Sequence, residues 1–186
     1  NRRPREILEA GMFQVPADRQ GMGLILDFNA MKNLVLKSYH KSPFSRMGLF
    51  DRGQVSRHAD RLMADYDVRG GGGERQVRLF SGGNQQKLVL ARELHHEPRV
   101  LLAVQPTRGL DVGATEYVRN KLLEQRSRGA AILLISTELE EILGLSDRIL
   151  AIYEGQIMGE FSGDRVDIER LGLLMAGVRN AAAEPA

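Results

Sequence analysis

Two runs of five apolar residues constrain the fold of this chain more than any other feature of its sequence. Residues 100–104 read Val-Leu-Leu-Ala-Val, and residues 131–135 read Ala-Ile-Leu-Leu-Ile. Short continuous runs of this kind are typical of strands that are buried on both faces of a parallel sheet. The helical pattern of residues 113–128 separates the two runs. A strand–helix–strand order predicts an α/β fold with a parallel sheet.

The remaining pattern extends this core at both ends. Residues 12–15 predict a further strand, and residues 149–153 and 156–161 predict a hairpin that turns at Glu154-Gly155. Helical spacing recurs before residue 95, with an intervening loop at residues 41–53. The predicted division of the chain has four parts: a core segment at 1–27, a helical subdomain at 28–94, the rest of the core at 95–175, and a disordered low-complexity tail at 176–186.

Composition narrows the class of protein. Apolar residues make up 42% and charged residues 27%, which is typical of a globular chain. The absence of cysteine excludes a disulfide framework and a cysteine-based metal site. The longest apolar runs span only a handful of residues, against about 20 for a helix that crosses a bilayer. The 26 basic and 24 acidic residues are dispersed, which argues against a nucleic-acid partner.

Ser81-Gly82-Gly83 directly precedes a predicted helix. Glycines let a ligand approach the backbone closely, and the free N–H groups at the start of a helix form a site for a phosphate. Taken alone, the three residues fit an ordinary capped helix better than a phosphate site. A second polar segment, Gln105 to Asp111, follows the apolar run at 100–104, and a third, Ser136-Thr137-Glu138, follows the run at 131–135. Polar segments at the carboxyl ends of parallel strands converge on one edge of the sheet.

Residues 79–87, Leu-Phe-Ser-Gly-Gly-Asn-Gln-Gln-Lys, resemble the signature motif of ABC-type ATPases. Residues 106–114, Pro-Thr-Arg-Gly-Leu-Asp-Val-Gly-Ala, resemble the segment that runs from the Walker B strand to the D-loop, and residues 15–19 resemble the Q-loop region. The order and spacing of these motifs agree along almost the whole chain. The residues of these motifs are similar to those of bacterial importers of simple sugars. The Gln105 that precedes Pro106 is similar to the residue at this position in the nucleoside-importing branch of the family. Those proteins carry two ATPase halves in one polypeptide, and this chain resembles the second.

The resemblance implies a partial P-loop NTPase core with an inserted helical subdomain. It also implies that the signature segment of one half completes the site for an ATP, with Mg²⁺, that is held by the other half. The residues that would contact this ATP in trans are Ser81, Gly82, Gly83, Asn84 and Gln85. Asp111, in the D-loop, would lie at the interface between the halves.

The sequence departs from the family pattern at the catalytic positions. No Gly-Lys pair occurs in the chain, so we expect the family's P-loop to lie upstream of Asn1. Val104 and Gln105 occupy the positions of the metal-binding Asp and the catalytic Glu, and Thr137 occupies that of the switch His. The Q-loop Gln corresponds to Ala17, with Gln14 nearby. We therefore expect a degenerate site with no metal ligands, and no ATP binding or hydrolysis by this chain alone.

By the same resemblance, the expected partners are the N-terminal ATPase half of the same polypeptide, membrane permease subunits and, indirectly, a solute-binding protein. The location would be cytoplasmic and peripheral on the inner face of the membrane, with segment 28–94 docked on the permease. Two alternatives stay open at this point. One is a non-hydrolytic binding or regulatory module, and the other is a soluble ABC ATPase of nucleic-acid metabolism. The dispersed arginines count against the second alternative.

Overall fold

The structure, a computed structural model, describes residues 2–46, 49–163 and 165–178. The helices are α1 (Pro4–Glu9), α2 (Ala30–Leu34), α3 (Arg52–Asp65), α4 (Gly82–Leu94), α5 (Val112–Ser127), α6 (Leu139–Leu145) and α7 (Ile168–Met175). The strands are β1 (Met12–Val15), β2 (Ser45–Arg46), β3 (Leu49–Phe50), β4 (Val100–Val104), β5 (Ala131–Ile135), β6 (Arg148–Tyr153) and β7 (Gln156–Ser162). Contacts divide the chain into a first unit, Asn1–Ile135, and a second unit, Ser136–Ala186.

A parallel sheet in the order β1-β4-β5 forms the centre of the first unit. Val15 pairs with Ala103, and Val104 pairs with Ile135, so the carboxyl ends of the three strands lie side by side. This pairing confirms the predicted parallel sheet. It also brings the segments that follow β1 and β4 to the same edge, while the segment that follows β5 begins the second unit.

The prediction that both apolar strands are buried on two faces is wrong. Leu101 and Ala103 of β4 are fully buried, but Val100, on the opposite face, is 40% exposed. Leu133 and Ile135 of β5 are 59% and 48% exposed. The physical reason is that β5 is an edge strand, and the described elements of the first unit leave these side chains uncovered.

Helices α2, α3 and α4 pack against one another and contribute about half of the buried apolar side chains described in the first unit. Their largest fully buried side chains include Leu34, Val55, Leu88 and Leu94. Each such side chain contributes about 1.5–3 kcal/mol relative to an exposed position. These helices lie between β1 and β4 in the sequence, as expected for a helical insertion, and the limits 28–94 stay a prediction.

Two local predictions need correction in this helical region. Residues 41–53 are predicted as a loop, but they contain the short antiparallel pair β2–β3, and α3 begins at Arg52. Two-residue strands are too short to leave a periodic pattern, and the α3 start is set by Asp51, whose carboxylate accepts from the N–H of Gln54 at 2.9 Å. The glycine run at 70–73, predicted as a flexible joint, is tied at its end because the N–H of Met31 donates to the carbonyl of Gly73 at 2.9 Å.

The second unit consists of α6, the antiparallel hairpin β6–β7 and α7, which packs on both strands. Its core is formed by Ile149, Ala151, Leu171 and Leu174. The hairpin turns at Glu154 and Gly155, both with positive φ, which confirms the predicted tight turn. Helix α7 was not anticipated from the sequence. Most of the predicted disordered tail, residues 179–186, lies outside the described residues.

None of the helices in the described ranges is long and apolar enough to cross a membrane.

Candidate functional site

The signature segment forms the beginning of α4. The hydroxyl of Ser81 accepts from the backbone N–H of Asn84 at 3.4 Å and from its side-chain amide at 2.9 Å, so Ser81 is the N-cap. The side-chain oxygen of Asn84 accepts in turn from the N–H of Arg69 at 2.7 Å. Ser81 is exposed, and Gly82 and Gly83 are only half-buried. The start of this helix therefore presents the N–H groups that can bind a phosphate.

The start of α5 lies beside the start of α4. Asp111 caps α5, because its carboxylate accepts from the N–H of Ala114 at 2.8 Å. A Cβ at Gly83 would lie 3.2 Å from the Cβ of Ala114, so a larger residue would require one of the two helices to shift by a few tenths of an ångström. Ser81, Gly83, Asn84, Asp111 and Ala114 line one open concave surface. Two helix N-termini with positive dipole ends thus meet at one surface, an arrangement that favours a bound anion.

Gln85 and Gln86 point inward from the signature segment, and each is only 2% exposed. The Gln85 amide donates to the carbonyl of Val77 at 3.2 Å, and its oxygen accepts from Gln20 at 2.9 Å. The Gln86 amide donates to the carbonyl of Pro106 at 2.7 Å. The structure therefore gives the side chain of Gln85, predicted to contact ATP, an internal role, and it leaves Ser81 to Asn84 at the open surface.

The segment after β1 is a single turn of π-helix, Arg19–Gly23, and lies against both the signature segment and the loop that ends in Asp111. The Asp18 carboxylate caps this turn by accepting from the N–H groups of Gln20 and Gly21. The Arg19 guanidinium donates to the carbonyl of Arg108 at 2.9 Å. The sequence suggested only a turn at this place, because π-helical turns have no simple residue pattern.

Three of the four positions predicted to have lost their catalytic groups lie at or just after the carboxyl ends of β1 and β4. Val104 is the last residue of β4, and Gln105 follows it with a positive φ of 46° and donates its N–H to the carbonyl of Ile135 at 2.7 Å. Ala17 follows β1 and is half-buried. Thr137 is exposed in the second unit. Across the described ranges, no three His, Asp or Glu side chains are grouped so that they could hold a metal ion.

Lys87, the last residue of the signature segment, is bound within the molecule. Its ammonium donates to the carbonyl and to the carboxylate of Asp67, at 2.9 and 2.8 Å. It also lies 4.6 Å from the ring centroid of Tyr117. The sequence left two roles open for Lys87, a surface residue or a ligand contact, and these bonds favour neither. The side chain is largely covered and links α4 to the segment that follows α3.

The structure also brings His58 next to His95 and His96, which are adjacent in the sequence. The His58 ring lies 5.1 Å from that of His95, which lies 3.7 Å from that of His96. Burial and the neighbouring His95 lower the pKa of His58 to about 4 and that of His96 to about 3. Burial also lowers the pKa of His95. The cluster is neutral at physiological pH, and only the fold could reveal it, since 37 residues separate His58 from His95.

Comparison with known proteins gives a consistent result at the level of sequence. The chain is 48% identical over 177 residues to a guanosine import ATP-binding protein, NupO, of Bacillus subtilis. It is 46% identical to a nucleoside import ATP-binding protein, NupA, of Lactococcus lactis, and 44% identical to a ribose import ATP-binding protein, RbsA 2, of Rubrobacter xylanophilus. These matches cover 95–97% of the chain but only 34–35% of each relative, so the chain spans about a third of their length. No family model matches the chain.

Solved structures agree at the level of fold. A nucleotide-free ATP-binding cassette from an ABC transporter superposes with a TM-score of 0.70 at 20% identity, covering 95% of this chain and 69% of that one. The ADP- and phosphate-bound dimer of the cassette MJ0796 gives a TM-score of 0.67 at 19% identity, covering 87% and 68%. The chain has the fold of these ATP-binding cassettes, and over nearly its whole length its sequence matches about a third of each of the import ATP-binding proteins named above.

Proposed function

We propose that this chain is part of the second ATPase half of a bacterial ABC import protein, and that it supplies the signature segment to an ATP held by the first half. The observation that carries the proposal is the junction of two helix N-termini at Ser81–Asn84 and Asp111–Ala114. Open N–H groups and two aligned dipoles favour the γ-phosphate of a nucleotide that another protein half presents. Asp111, exposed at the rim, would contact that half.

The site that this half would build for its own nucleotide does not fit a magnesium ion. Val104 provides no oxygen ligand at the end of β4, and the amide of Gln105 cannot take a proton from an attacking water. Phosphoryl transfer depends on positioning and on charge neutralisation, and a single charged group can contribute about 10³-fold or more to its rate. We infer that this half binds nucleotide in trans and hydrolyses little or none at its own site.

The solute and the partners follow from the relatives. Proteins named for the import of guanosine, nucleosides and ribose are 44–48% identical to this chain over 177–180 aligned residues. We therefore propose a nucleoside or a simple sugar as the transported solute, with membrane permease subunits as direct partners and a solute-binding protein as an indirect one. The chain would lie at the cytoplasmic face of the membrane, with the helical segment 28–94 against the permease.

The experiment measures ATP turnover by the full-length polypeptide, which contains this chain and the N-terminal ATPase half. The double change Gln105→Ala and Thr137→Ala should leave the rate unchanged, because neither side chain takes part in hydrolysis. A loss of turnover in this variant would overturn the degenerate-site proposal. The opposite variant, Val104→Asp with Gln105→Glu, restores the family's acidic pair. We expect it to raise the rate of ATP turnover only modestly, because Thr137 would still occupy the position of the switch His.

The non-hydrolytic regulatory alternative shares the observation at Val104 and Gln105. It differs in one respect: the intact protein would then bind ATP and show no turnover at either half. The same assay therefore separates the two functions.

A further inference from the structure

Arg19 stands at the meeting point of the three segments that form the candidate site. Its Nη1 donates to the carbonyl of Arg108, 89 residues further along the chain, at 2.9 Å. Its Nη2 lies against the signature segment, because a Cβ built on Gly82 would come within 2.9 Å of that atom. One guanidinium therefore touches both the start of α4 and the loop that leads to Asp111.

Gly82 makes room for the guanidinium in the position that the structure shows. A Cβ at Gly82 would come within 2.9 Å of Arg19 Nη2 and would make the end of this flexible side chain shift, whereas a Cβ at Gly109 would lie at an ordinary contact distance of 3.9 Å. The sequence predicts that Gly82 lets a ligand approach the backbone closely. The structure shows that a residue of the chain itself already uses part of that space.

The charge of Arg19 is not neutralised nearby. Among the described residues no carboxylate lies within ion-pair distance of its guanidinium, and its Nε is buried without a hydrogen-bond partner. The adjacent Asp18 carboxylate is occupied by the N–H groups of Gln20 and Gly21. In place of an ion pair, the guanidinium has a hydrogen bond to the carbonyl of Arg108 and a packing contact with Gly82. Its planar arrangement of several N–H donors suits a group that contacts two segments at once.

Two neighbouring hydrogen bonds join the same segments. Gln20, the next residue, donates to Gln85 at 2.9 Å, and Gln86 donates to Pro106 at 2.7 Å. The π-helical turn, the signature segment and the loop at 105–111 are thus linked pairwise by side chains. Arg19 is the member whose side chain contacts both of the segments that reach the open concave surface.

We propose that Arg19 is a positioning residue that fixes the signature segment and the Asp111 loop to each other. The two segments would then contact the nucleotide as one rigid unit. The inference rests on the proposed function for its effect on ATP turnover, but the coupling between the two segments stands without it. Loss of the guanidinium would free the two segments to move separately.

The test compares Arg19→Gln, Arg19→Lys and a control, Arg5→Gln, in the intact protein. Arg5 is exposed on α1, outside the site. In Arg19→Gln, hydrogen exchange should become faster by about tenfold, the size expected for one lost hydrogen bond, at the hydrogen-bonded amides of both segments together. These are the amides of Asn84 and Gln85 in the signature segment and of Leu110 and Ala114 around the Asp111 loop. Arg19→Lys keeps one donor and should give a smaller change, and the control should give none.

Turnover supplies the readout that a purely structural role would not move. In Arg19→Gln we expect kcat to fall by about tenfold to a hundredfold with the KM for ATP unchanged, and Arg19→Lys to recover part of the loss. Faster exchange in only one segment, in neither, or an unchanged kcat would overturn the proposal. Joint faster exchange in a protein that never hydrolyses ATP would support the coupling and overturn the proposed function instead.

Discussion

The side-chain amide of Gln86 donates a buried hydrogen bond of 2.7 Å to the carbonyl of Pro106, and so joins the signature helix to the first residue of the turn after β4. Pro106 is buried as well. The bond connects two segments that are 20 residues apart in the sequence and that both reach the candidate site. Its loss would leave a buried carbonyl without a partner.

The first prediction concerns this bond. Gln86→Met keeps the volume of the side chain and removes the donor, so the free energy of unfolding should fall by about 1–3 kcal/mol. Urea denaturation of the intact protein measures this change. The exposed Gln76, changed to Met as a control, should cost less than about 0.5 kcal/mol. Equal effects at the two positions would show that the Gln86–Pro106 bond adds nothing to stability.

The second prediction separates the two roles of Asp111. Asp111→Ala removes the cap of α5 and should lower the free energy of unfolding by about 1 kcal/mol, whereas Asp111→Asn keeps a capping oxygen and should change it little. If the carboxylate charge also contacts the other ATPase half, Asp111→Asn should still reduce ATP turnover. Thermal unfolding and turnover assays measure the two effects side by side. Full turnover in Asp111→Asn would limit this residue to its structural role.

The third prediction concerns Glu93, which is fully buried on α4. Its carboxylate is paired with Lys37 and accepts from Arg92 Nε at 2.8 Å. Burial lowers the pKa of Lys37, an effect that Glu93 opposes. Glu93→Gln would leave two cations without their counter-charge, so the free energy of unfolding should fall by about 3–5 kcal/mol.

Chemical denaturation measures the cost of Glu93→Gln, with the exposed Glu116→Gln of α5 as the matched control. Adding Lys37→Met to Glu93→Gln removes one of the stranded cations and should recover part of the loss. A cost for Glu93→Gln as small as that of the control would contradict the prediction.

The fourth prediction follows from the histidine cluster. The folded-state pKa values of His58 and His96, about 4 and about 3, lie below the ordinary value of 6.5. The unfolded state therefore binds more protons as the pH falls below 6.5, and stability decreases through that range until the folded-state values are reached. Between pH 7 and pH 5 the free energy of unfolding should fall.

The pH dependence is measured by denaturation at constant ionic strength, in a range where most carboxylates are still ionised. Replacing His58 and His96 by Phe removes both titrating rings and keeps an aromatic contact with Phe44 and Phe13. This variant should show a flatter dependence on pH between 7 and 5. An identical slope in the variant and the unaltered protein would mean that other groups control the acid response.

The sequence was most informative where one local cause decides the structure. The apolar runs at 100–104 and 131–135 predicted two parallel strands with the correct residues, and the turn at Glu154-Gly155 was predicted because these residues separate two strand-like runs. The start of α4 could be placed closely because Ser81 is a strong cap, and α5, predicted from residue 113, begins at Val112.

Properties that depend on distant contacts could not be foreseen. The exposure of Leu133 and Ile135 depends on which elements cover the sheet, and periodicity does not encode that. The inward direction of Gln85 depends on Gln20, and the place of Arg19 depends on Gly82 and Arg108. The motif resemblance identified the residues of the candidate site, whereas only the structure shows which of them are open and which are bonded within the molecule.

The central claim is that the Ser81 end of α4 contacts the phosphate of an ATP held by the other half, and two variants of Ser81 test it most directly. Ser81→Asn and Ser81→Asp both keep a side chain that caps the helix, but only Asp adds a negative charge at the proposed phosphate. We predict that ATP turnover by the intact protein falls by about a hundredfold or more in Ser81→Asp and far less in Ser81→Asn, with both variants equally stable. Equal turnover in the two variants would contradict the claim.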